Sequence, residues 1–267
     1  MTDARTSIDP AFGAPISTRL VVSPFAPMVS EPNAQSAQKA ELVHGQRFRV
    51  HARRGVWCYG QAVPLLETAR PGYVGWVMEE KLGPTGAAPT HAVSSVSAPI
   101  FSKPDFKSHI VQSLPLGARV AVRSMSDAYA QIGAGAWLHR LHLRPLAEPE
   151  SDLVAIARCF LGQPYVWGGN GARGIDCSGL VQMSLDACGI DSPRDADMQE
   201  AALGRPVARP QEPGDLLFWK GHVAMLTVPD RMIHANATHM AVVEEPLQPA
   251  LERMGAEGLP LRAVRRL

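Results

Sequence analysis

Short alternating runs fill the first half of the chain. Between residues 16 and 146, apolar and polar residues alternate over short stretches, and glycine and proline interrupt them often. This pattern predicts strands. From residue 151 the pattern changes to a helical spacing, with apolar positions at Val154, Ile156 and Phe160 behind Asp152, which can cap the helix.

A second helix is predicted over residues 178–188, where Gly189 ends it. Strand-like runs follow this helix. They lie at 215–219, 222–227, 231–234 and 241–243. A domain whose helices come first and whose strands come afterwards is typical of the α+β class.

The alternating half divides into two regions of similar design. Gly45 and Gly117 each lead a strand, and each region ends with a tryptophan strand, around Trp76 and Trp137. This order resembles bacterial SH3-like domains, which are small barrels of short strands. One irregular β domain is the alternative. We therefore predict four segments: a loose N-terminal tail (1–14), two SH3-like domains (15–86 and 87–147) and an α+β domain (148–267).

Composition excludes several classes of protein. The chain has 267 residues, 46% of them hydrophobic and 19% charged, which is enough apolar side chain for a folded core. A net charge of +1 gives no reason to expect nucleic acid or a membrane surface as a partner. The four cysteines lack the CxxC spacing of metal sites, so we expect reduced thiols and no bound metal.

The N-terminus lacks the apolar run of a secretory signal peptide, and no segment has the length of a membrane span. We therefore expect a cytoplasmic protein. A chain from which a signal peptide had been removed would look the same, so secretion stays open.

A cysteine between a glycine-rich loop and a helix start carries the clearest chemistry. The loop reads YVWGGN at 165–170, and GIDCSG at 174–179 places Cys177 just ahead of the second predicted helix. The N-terminal end of a helix carries partial positive charge and free N–H groups. We therefore expect a lowered thiol pKa and a site for an oxyanion at this position.

A thiolate nucleophile needs a base, and the base needs a partner that orients it. His222 begins one predicted strand and His234 lies on the next, across a turn signal at Pro229 and Asp230. The two histidines share a face only if facing residue numbers have an even sum, because side chains alternate along a strand. The sequence leaves this register open, and His239 is an alternative polar partner.

These motifs resemble those of NlpC/P60 peptidases. DCSG at 176–179 after YxWGG at 165–169 is similar to the family's cysteine motif. PGDLLF at 213–218 with GHVA at 221–224 is similar to its histidine strand, and MIHA at 232–235 to the strand of its third polar residue. PRD at 193–195 with Gln199 is similar to the segment between them. The resemblance covers about residues 152–243.

The resemblance implies a papain-like domain with a Cys-His-polar triad that hydrolyses amide bonds in bacterial cell-wall peptides without a cofactor. Carried over, Cys177 is the nucleophile, His222 is the base and then the acid, and His234 orients His222. For members with paired SH3-like domains it implies cleavage between γ-D-glutamate and a diamino acid. The substrates are murein tripeptides or tetrapeptides with a free N-terminal L-alanine.

Further roles come from the same resemblance. Asp176 would hold the substrate ammonium, Ser178 would lie beside the nucleophile, and Tyr165 would line the pocket or assist the oxyanion. Tyr73 is the residue expected to wall the groove from the N-terminal region. Gln46 stands where some members place an acidic residue that contacts the peptide.

We predict recycling of free murein peptides in the cytoplasm. The alternatives are a secreted hydrolase of intact cell wall, a binding protein with a vestigial triad, and an acyltransferase. The identity of the diamino acid and the oligomeric state stay open.

Overall fold

The structure, a computed structural model, describes residues 3–267. Residues 1 and 2 of the predicted tail lie outside the described residues. Two compact units make up the chain: the first ends at Pro149, and the second is Glu150–Leu267. The domain boundaries expected at residues 14, 86 and 147 stay predictions.

The described part of the tail is not loose, contrary to expectation. The rings of Phe12 and Tyr59 lie 4.5 Å apart, and the backbone N–H of Asp9 donates to the Tyr59 hydroxyl. The Gln61 side chain donates to the Thr6 carbonyl over 2.7 Å. The small residues of this segment suggested little order, but one aromatic side chain packed on the sheet is enough to hold it.

Seven antiparallel strands form one sheet in the first half of the first unit. They are β1 (Ser17–Val21), β2 (Phe25–Val29), β3 (Gln38–Val43), β4 (Arg47–Arg54), β5 (Trp57–Ala62), β6 (Val74–Met78) and β7 (Leu82–Gly83). Their order across the sheet is β3-β2-β6-β5-β4-β1-β7. The alternation in β4 buries Phe48 and Val50 and exposes Arg49, which confirms the period of two seen in the sequence.

Two smaller antiparallel sheets form the rest of the first unit. Their strands are β8 (His91–Val93), β9 (Ser97–Phe101), β10 (Ile110–Pro115), β11 (Arg119–Val120), β12 (Ser124–Met125), β13 (Tyr129–Gly133), β14 (Ala136–His139) and β15 (Leu143–Pro145). The orders are β10-β9-β14-β13-β12 and β11-β8-β15. Their shared core is made by fully buried side chains that include Ile100, Leu114 and Leu138.

The likeness between the two β regions extends to the backbone. Gly45 and Gly117 have φ angles of +77° and +84°, a conformation that favours glycine. Each tryptophan strand, β6 or β14, runs directly into a short 3-10 helix, Glu79–Lys81 or Arg140–His142, and then into a short strand. Their assignment as SH3-like domains stays a prediction.

The second unit contains four helices and one antiparallel sheet of six strands. The helices are α1 (Leu153–Cys159), α2 (Cys177–Ala187), α3 (Ala196–Ala202) and α4 (Leu247–Ala256). The strands are β16 (Arg205–Pro206), β17 (Leu216–Trp219), β18 (His222–Val228), β19 (Arg231–Asn236), β20 (Ala241–Pro246) and β21 (Ala263–Arg266). The order is β16-β21-β17-β18-β19-β20. Mixed helix and sheet content is confirmed, whereas α3, α4, β16 and β21 are additional to the prediction.

Side-chain caps and one glycine set the ends of the first two helices. Asp152 accepts the N–H of Ala155 at the start of α1, and Asp176 accepts the N–H of Gly179 at the start of α2. Gly189, with φ +75°, follows the end of α2. Within residues 3–267, no helix has both the length and the apolar content that a membrane crossing requires.

A β-bulge lies near the turn between β18 and β19. Val228 pairs with Arg231 next to the turn, but the following pair is Leu226 with Met232. Thr227 is therefore one extra residue in β18, and the ladder shifts by one position there.

The bulge decides which residues of the two strands share a face. The sum of paired residue numbers is odd next to the turn and even beyond the bulge, where Met225 pairs with Ile233. His222 and His234 lie beyond it and therefore share a face. The register that the sequence left open is the one that brings the two histidines together.

Candidate active site

Cys177 is the first residue of α2 and is buried, with 5% of its surface exposed. The backbone groups of Val223 and Ser178 act to lower the pKa of its thiol. Burial and then the charge of Asp176 nevertheless raise the pKa of the Cys177 thiol to about 12. The expected lowering of this pKa is wrong, because loss of hydration outweighs the helix start.

His222 begins β18 and directly precedes Val223, whose backbone acts to lower the pKa of the Cys177 thiol. The Trp219 ring packs against the imidazole, with 5.7 Å between the ring centres. Burial and then the neighbouring His234 lower the pKa of His222 to about 3. The imidazole is therefore neutral at pH 7 and can take up a proton.

His234 is the polar partner of His222. The Nε2 atom of His222 lies 2.8 Å from the Nδ1 atom of His234, and His234 is 1% exposed. The alternative partner, His239, instead contacts the Asn236 side-chain oxygen through its backbone N–H and its Nδ1 atom. The Nε2 atom of His222 thus contacts His234, and Nδ1 is its remaining ring nitrogen.

Two residues that the sequence analysis missed continue this line of contacts. The Nε2 atom of His234 lies 2.7 Å from Oε1 of Glu245 on β20. Arg253 of α4 donates to both oxygens of Glu245, over 2.7 and 2.8 Å. Nothing in the local sequence around Glu245 distinguishes it from Glu244, and only the pairing of β19 with β20 could have found it.

Asp176 has a denser set of partners than a helix cap needs. Its two oxygens accept the N–H groups of Gly168 and Gly179 and a two-pronged ion pair from Arg194, all over 2.7 to 2.8 Å. Asp176 and Arg194 are both 5% exposed. Four close donors occupy the acceptor positions of this carboxylate, so its charge is already compensated within the unit.

Ser178 and Gln199 belong to the same buried network. Arg194 donates to the Ser178 hydroxyl over 3.0 Å, and the Gln199 amide donates to the Ser178 carbonyl over 2.9 Å. Gln199 also donates to the Pro193 carbonyl. The segment at 193–199 therefore braces the first turn of α2, in which Cys177 lies.

The other predicted site residues fall in different places. Tyr165 is half-buried, and burial followed by the charges of Cys177 and Asp176 raises the pKa of its phenol, which places it in the electrostatic surroundings of the cysteine. Tyr73 lies in the first unit and is 6% exposed, and its role as a groove wall stays a prediction. The Gln46 side chain contacts the backbone of its own sheet, at the Val43 N–H and the Val63 carbonyl.

No group of three or more metal-ligating side chains is found among residues 3–267. The groups that the site offers for chemistry are the Cys177 thiol, the two imidazoles and the backbone N–H groups around them.

Comparison with known proteins agrees with this geometry. The NlpC/P60 family pattern matches residues 162–253. A Bacillus cereus protein named gamma-D-glutamyl-L-lysine dipeptidyl-peptidase is 28% identical over 80% of this chain and 72% of its own length. A Bacillus subtilis protein of the same name is 25% identical over 76% of this chain and 74% of its own.

The fold has a counterpart among solved structures. An NlpC/P60 family protein from Bacillus cereus superposes with a TM-score of 0.79 at 21% identity, covering 94% of this chain and 99% of that one. The matched segment contains α2, β18, β19 and β20, which are the elements that carry the cysteine, both histidines and the glutamate. The second unit of this chain therefore belongs to the NlpC/P60 family of cysteine peptidases.

Proposed function

We propose that this enzyme hydrolyses the bond between γ-D-glutamate and a diamino acid in murein tripeptides or tetrapeptides. The observation that carries the proposal is the contact of 2.8 Å between His222 and His234. Val223, the residue after His222, acts through its backbone to lower the pKa of the Cys177 thiol. This arrangement provides a nucleophile, a base and a partner that orients the base.

In the proposed reaction, Cys177 Sγ attacks the peptide carbonyl while its proton passes to Nδ1 of His222. Backbone N–H groups at the start of α2 stabilise the oxyanion. His222 then protonates the leaving amine, and a thioester remains on Cys177. Water attacks the thioester with His222 again as base, which releases the acid and restores the thiol.

The raised pKa of Cys177 and the lowered pKa of His222 indicate that both groups are neutral before substrate binds. Proton transfer and attack then occur together at the carbonyl. This order suits a buried site, because a resting thiolate–imidazolium pair would have to be held there without water.

The substrate class comes from the relatives. Two relatives that each match three quarters or more of this chain are named gamma-D-glutamyl-L-lysine dipeptidyl-peptidases. We propose a free N-terminal L-alanine on the substrate, with Asp176 near its ammonium. Arg194 already pairs with Asp176, so the substrate ammonium would share this carboxylate with a guanidinium.

We also propose that the reaction serves the recycling of free murein peptides in the cytoplasm, with two SH3-like domains ahead of the catalytic unit. Fractionation of cells that express the chain tests its location. A secreted wall hydrolase would instead appear outside the cytoplasmic fraction and would digest intact sacculi.

Mass spectrometry of digestion products tests the activity. We expect L-Ala-γ-D-Glu and a free diamino acid from L-Ala-γ-D-Glu-L-Lys or its meso-diaminopimelate analogue, and no cleavage by Cys177→Ala. The N-acetylated tripeptide should resist cleavage. Equal cleavage of the acetylated peptide would remove the ammonium requirement, and activity on sacculi alone would overturn the recycling role. Turnover that survives Cys177→Ala, or its absence from the unaltered protein, would contradict the peptidase mechanism.

A further inference from the structure

The contacts of the histidine pair do not end at His234. Its Nδ1 atom faces His222 and its Nε2 atom lies 2.7 Å from Glu245 Oε1. The Glu245 side chain is 13% exposed and is held by both terminal nitrogens of Arg253. Both ring nitrogens of His234 are therefore engaged, one by each neighbour.

The strand pairing places Glu245 on the face that carries the histidines. Glu245 lies opposite Met232, and Met232 shares a face with His234 because the two are separated by one residue on β19. Glu245 is thus a diagonal neighbour of His234, within reach of a long side chain. Its neighbour Glu244 points to the opposite face of β20.

The directions of the hydrogen bonds follow from the charge of Glu245. Hydrogen bonds from Arg253 and then His234 hold the pKa of Glu245 well below its usual range, so the carboxylate is ionised and can only accept. The Nε2 atom of His234 must then carry a proton. Burial lowers the pKa of His234, so the ring is neutral and its Nδ1 atom is an acceptor.

The same reasoning fixes the tautomer of His222. Because Nδ1 of His234 accepts, Nε2 of His222 must donate. Neutral His222 then has an unprotonated Nδ1 atom, which is the lone pair that the base needs.

We propose that Glu245, held by Arg253, is a positioning residue that fixes the tautomers of His234 and His222 so that the basic nitrogen of His222 faces Cys177. This inference rests on the proposed role of His222 as the base. Glu245 touches neither Cys177 nor the scissile bond, and it acts through His234.

The negative charge of Glu245 also favours the protonated form of His222 that arises when the thiol gives up its proton. The charged and titratable groups around His234 are His222 on β18, Glu245 on β20, Arg253 on α4 and His239 on the loop before β20. Arg253 and His239 oppose a positive charge on His234. Glu245 is the anion in this set.

Alkylation of Cys177 by iodoacetamide, resolved by peptide mass spectrometry, tests the proposal. The Glu245 carboxylate accepts three N–H groups, one from His234 and two from Arg253. Glu245→Gln leaves a single amide oxygen to accept them and removes the negative charge. We expect the rate at pH 7 to fall by about tenfold or more, because loss of a carboxylate that fixes the tautomer of a reactive histidine costs up to about 10⁴-fold in a catalytic triad. The exposed Cys159 is the internal reference, and its rate should not change.

Glu244→Gln is the matched control. Glu244 is the adjacent residue, has 15% side-chain exposure, and is paired with Arg158 over 2.8 Å and with the Thr227 hydroxyl. It lies on the other face, so we expect Cys177 alkylation at the rate of the unaltered protein. An equal loss in both variants would indicate a purely structural role for Glu245 and would overturn the proposal.

Nitrogen-15 spectra of the histidines provide a readout that needs no variant of Glu245. We expect His234 and His222 each to carry a proton at Nε2 and none at Nδ1 near pH 7, with signals assigned from His234→Ala and His222→Ala. A proton at Nδ1 of either ring would overturn the inference. Neither alkylation nor the spectra require a substrate, so an error in the proposed bond specificity would leave this test intact.

Discussion

The Nε2 atom of His222 and the Nδ1 atom of His234 lie 2.8 Å apart although the two residues do not face each other directly. The register carried on from the Met225–Ile233 pair places His234 opposite Ala224, two positions along from His222. The histidines are therefore diagonal neighbours on adjacent antiparallel strands. Long, flat side chains bridge this offset, so each imidazole presents its edge to the other.

Substitution of His234 should reduce turnover and leave substrate binding unchanged. We expect His234→Ala to lower kcat by about 100-fold or more, within the range for loss of acid–base function, with little effect on KM. His234→Asn should recover part of the loss, because its amide oxygen can accept the Nε2 proton of His222. Steady-state kinetics on the tripeptide measure both. His239→Ala is the control, and a similar fall in its kcat would contradict the pairing.

Acid should destabilise the second unit through its buried histidines. The folded pKa of His222 is about 3, below the ordinary value of 6.5, so the unfolded chain binds more protons between these values. Stability is therefore present above pH 6.5 and is lost as the pH falls toward 3. The expected slope is up to about 1.4 kcal/mol per pH unit for this group.

Hydrogen exchange of peptides from β18 and β19 between pH 7 and pH 5 measures this loss within the second unit. His222→Gln cannot take up a proton and should show a shallower dependence on pH. If the dependence of stability on pH were unchanged in this variant, His222 would not contribute to the loss of stability in acid.

Removing Arg194 should strongly destabilise the second unit. Its guanidinium pairs with Asp176 where both side chains are 6–7% exposed, and an unpaired buried charge costs about 3–5 kcal/mol. We therefore expect Arg194→Met to lower the free energy of unfolding by this amount, as measured by hydrogen exchange of α2 peptides. Arg158→Met, which breaks an ion pair whose arginine is 43% exposed, should cost about 0–1 kcal/mol. Similar losses of stability in the two variants would contradict the stabilising role given to the buried Arg194–Asp176 pair.

Gly179 should not tolerate a methyl group. A Cβ atom there would lie 2.5 Å from the Gly169 carbonyl oxygen and 2.9 Å from Oδ1 of Asp176. We expect Gly179→Ala to lower the unfolding free energy of the second unit by about 1–3 kcal/mol. Gly255→Ala on α4 has open space around it and should stabilise by about 0.5–1 kcal/mol. Exchange protection of α2 and α4 peptides measures the two changes. Unchanged stability of Gly179→Ala would show that the loop containing Gly169 shifts to make room for the methyl group.

Local patterns predicted the elements that hold the reactive groups. The helix cap at Asp152, the stop at Gly189 and the strands of both histidines all follow from nearby residues. These features depend on backbone geometry over a few positions, and that information is present in any short stretch of sequence.

The remaining features depend on distant contacts. Arg194 meets Asp176 only after the segment behind α2 folds back onto it, and Glu245 meets His234 only in one register of β19 with β20. The pKa of Cys177 depends on burial by the whole unit, which a helix-start argument does not contain. Sequence patterns therefore pointed to Cys177 as the candidate nucleophile but did not reveal the contacts of Arg194 and Glu245 or the raised pKa of the thiol.

The extra residue at Thr227 has a consequence for the pairing register of β18 with β19. Both faces of β18 are buried, with Val223 and Met225 on one face and Ala224 and Leu226 on the other. If β18 slipped by one position against β19, two apolar faces would exchange at little hydrophobic cost. In a strand with one solvent-exposed face, the same slip would expose apolar side chains. The bulge at Thr227, close to the turn, therefore sets the register that aligns His222 with His234.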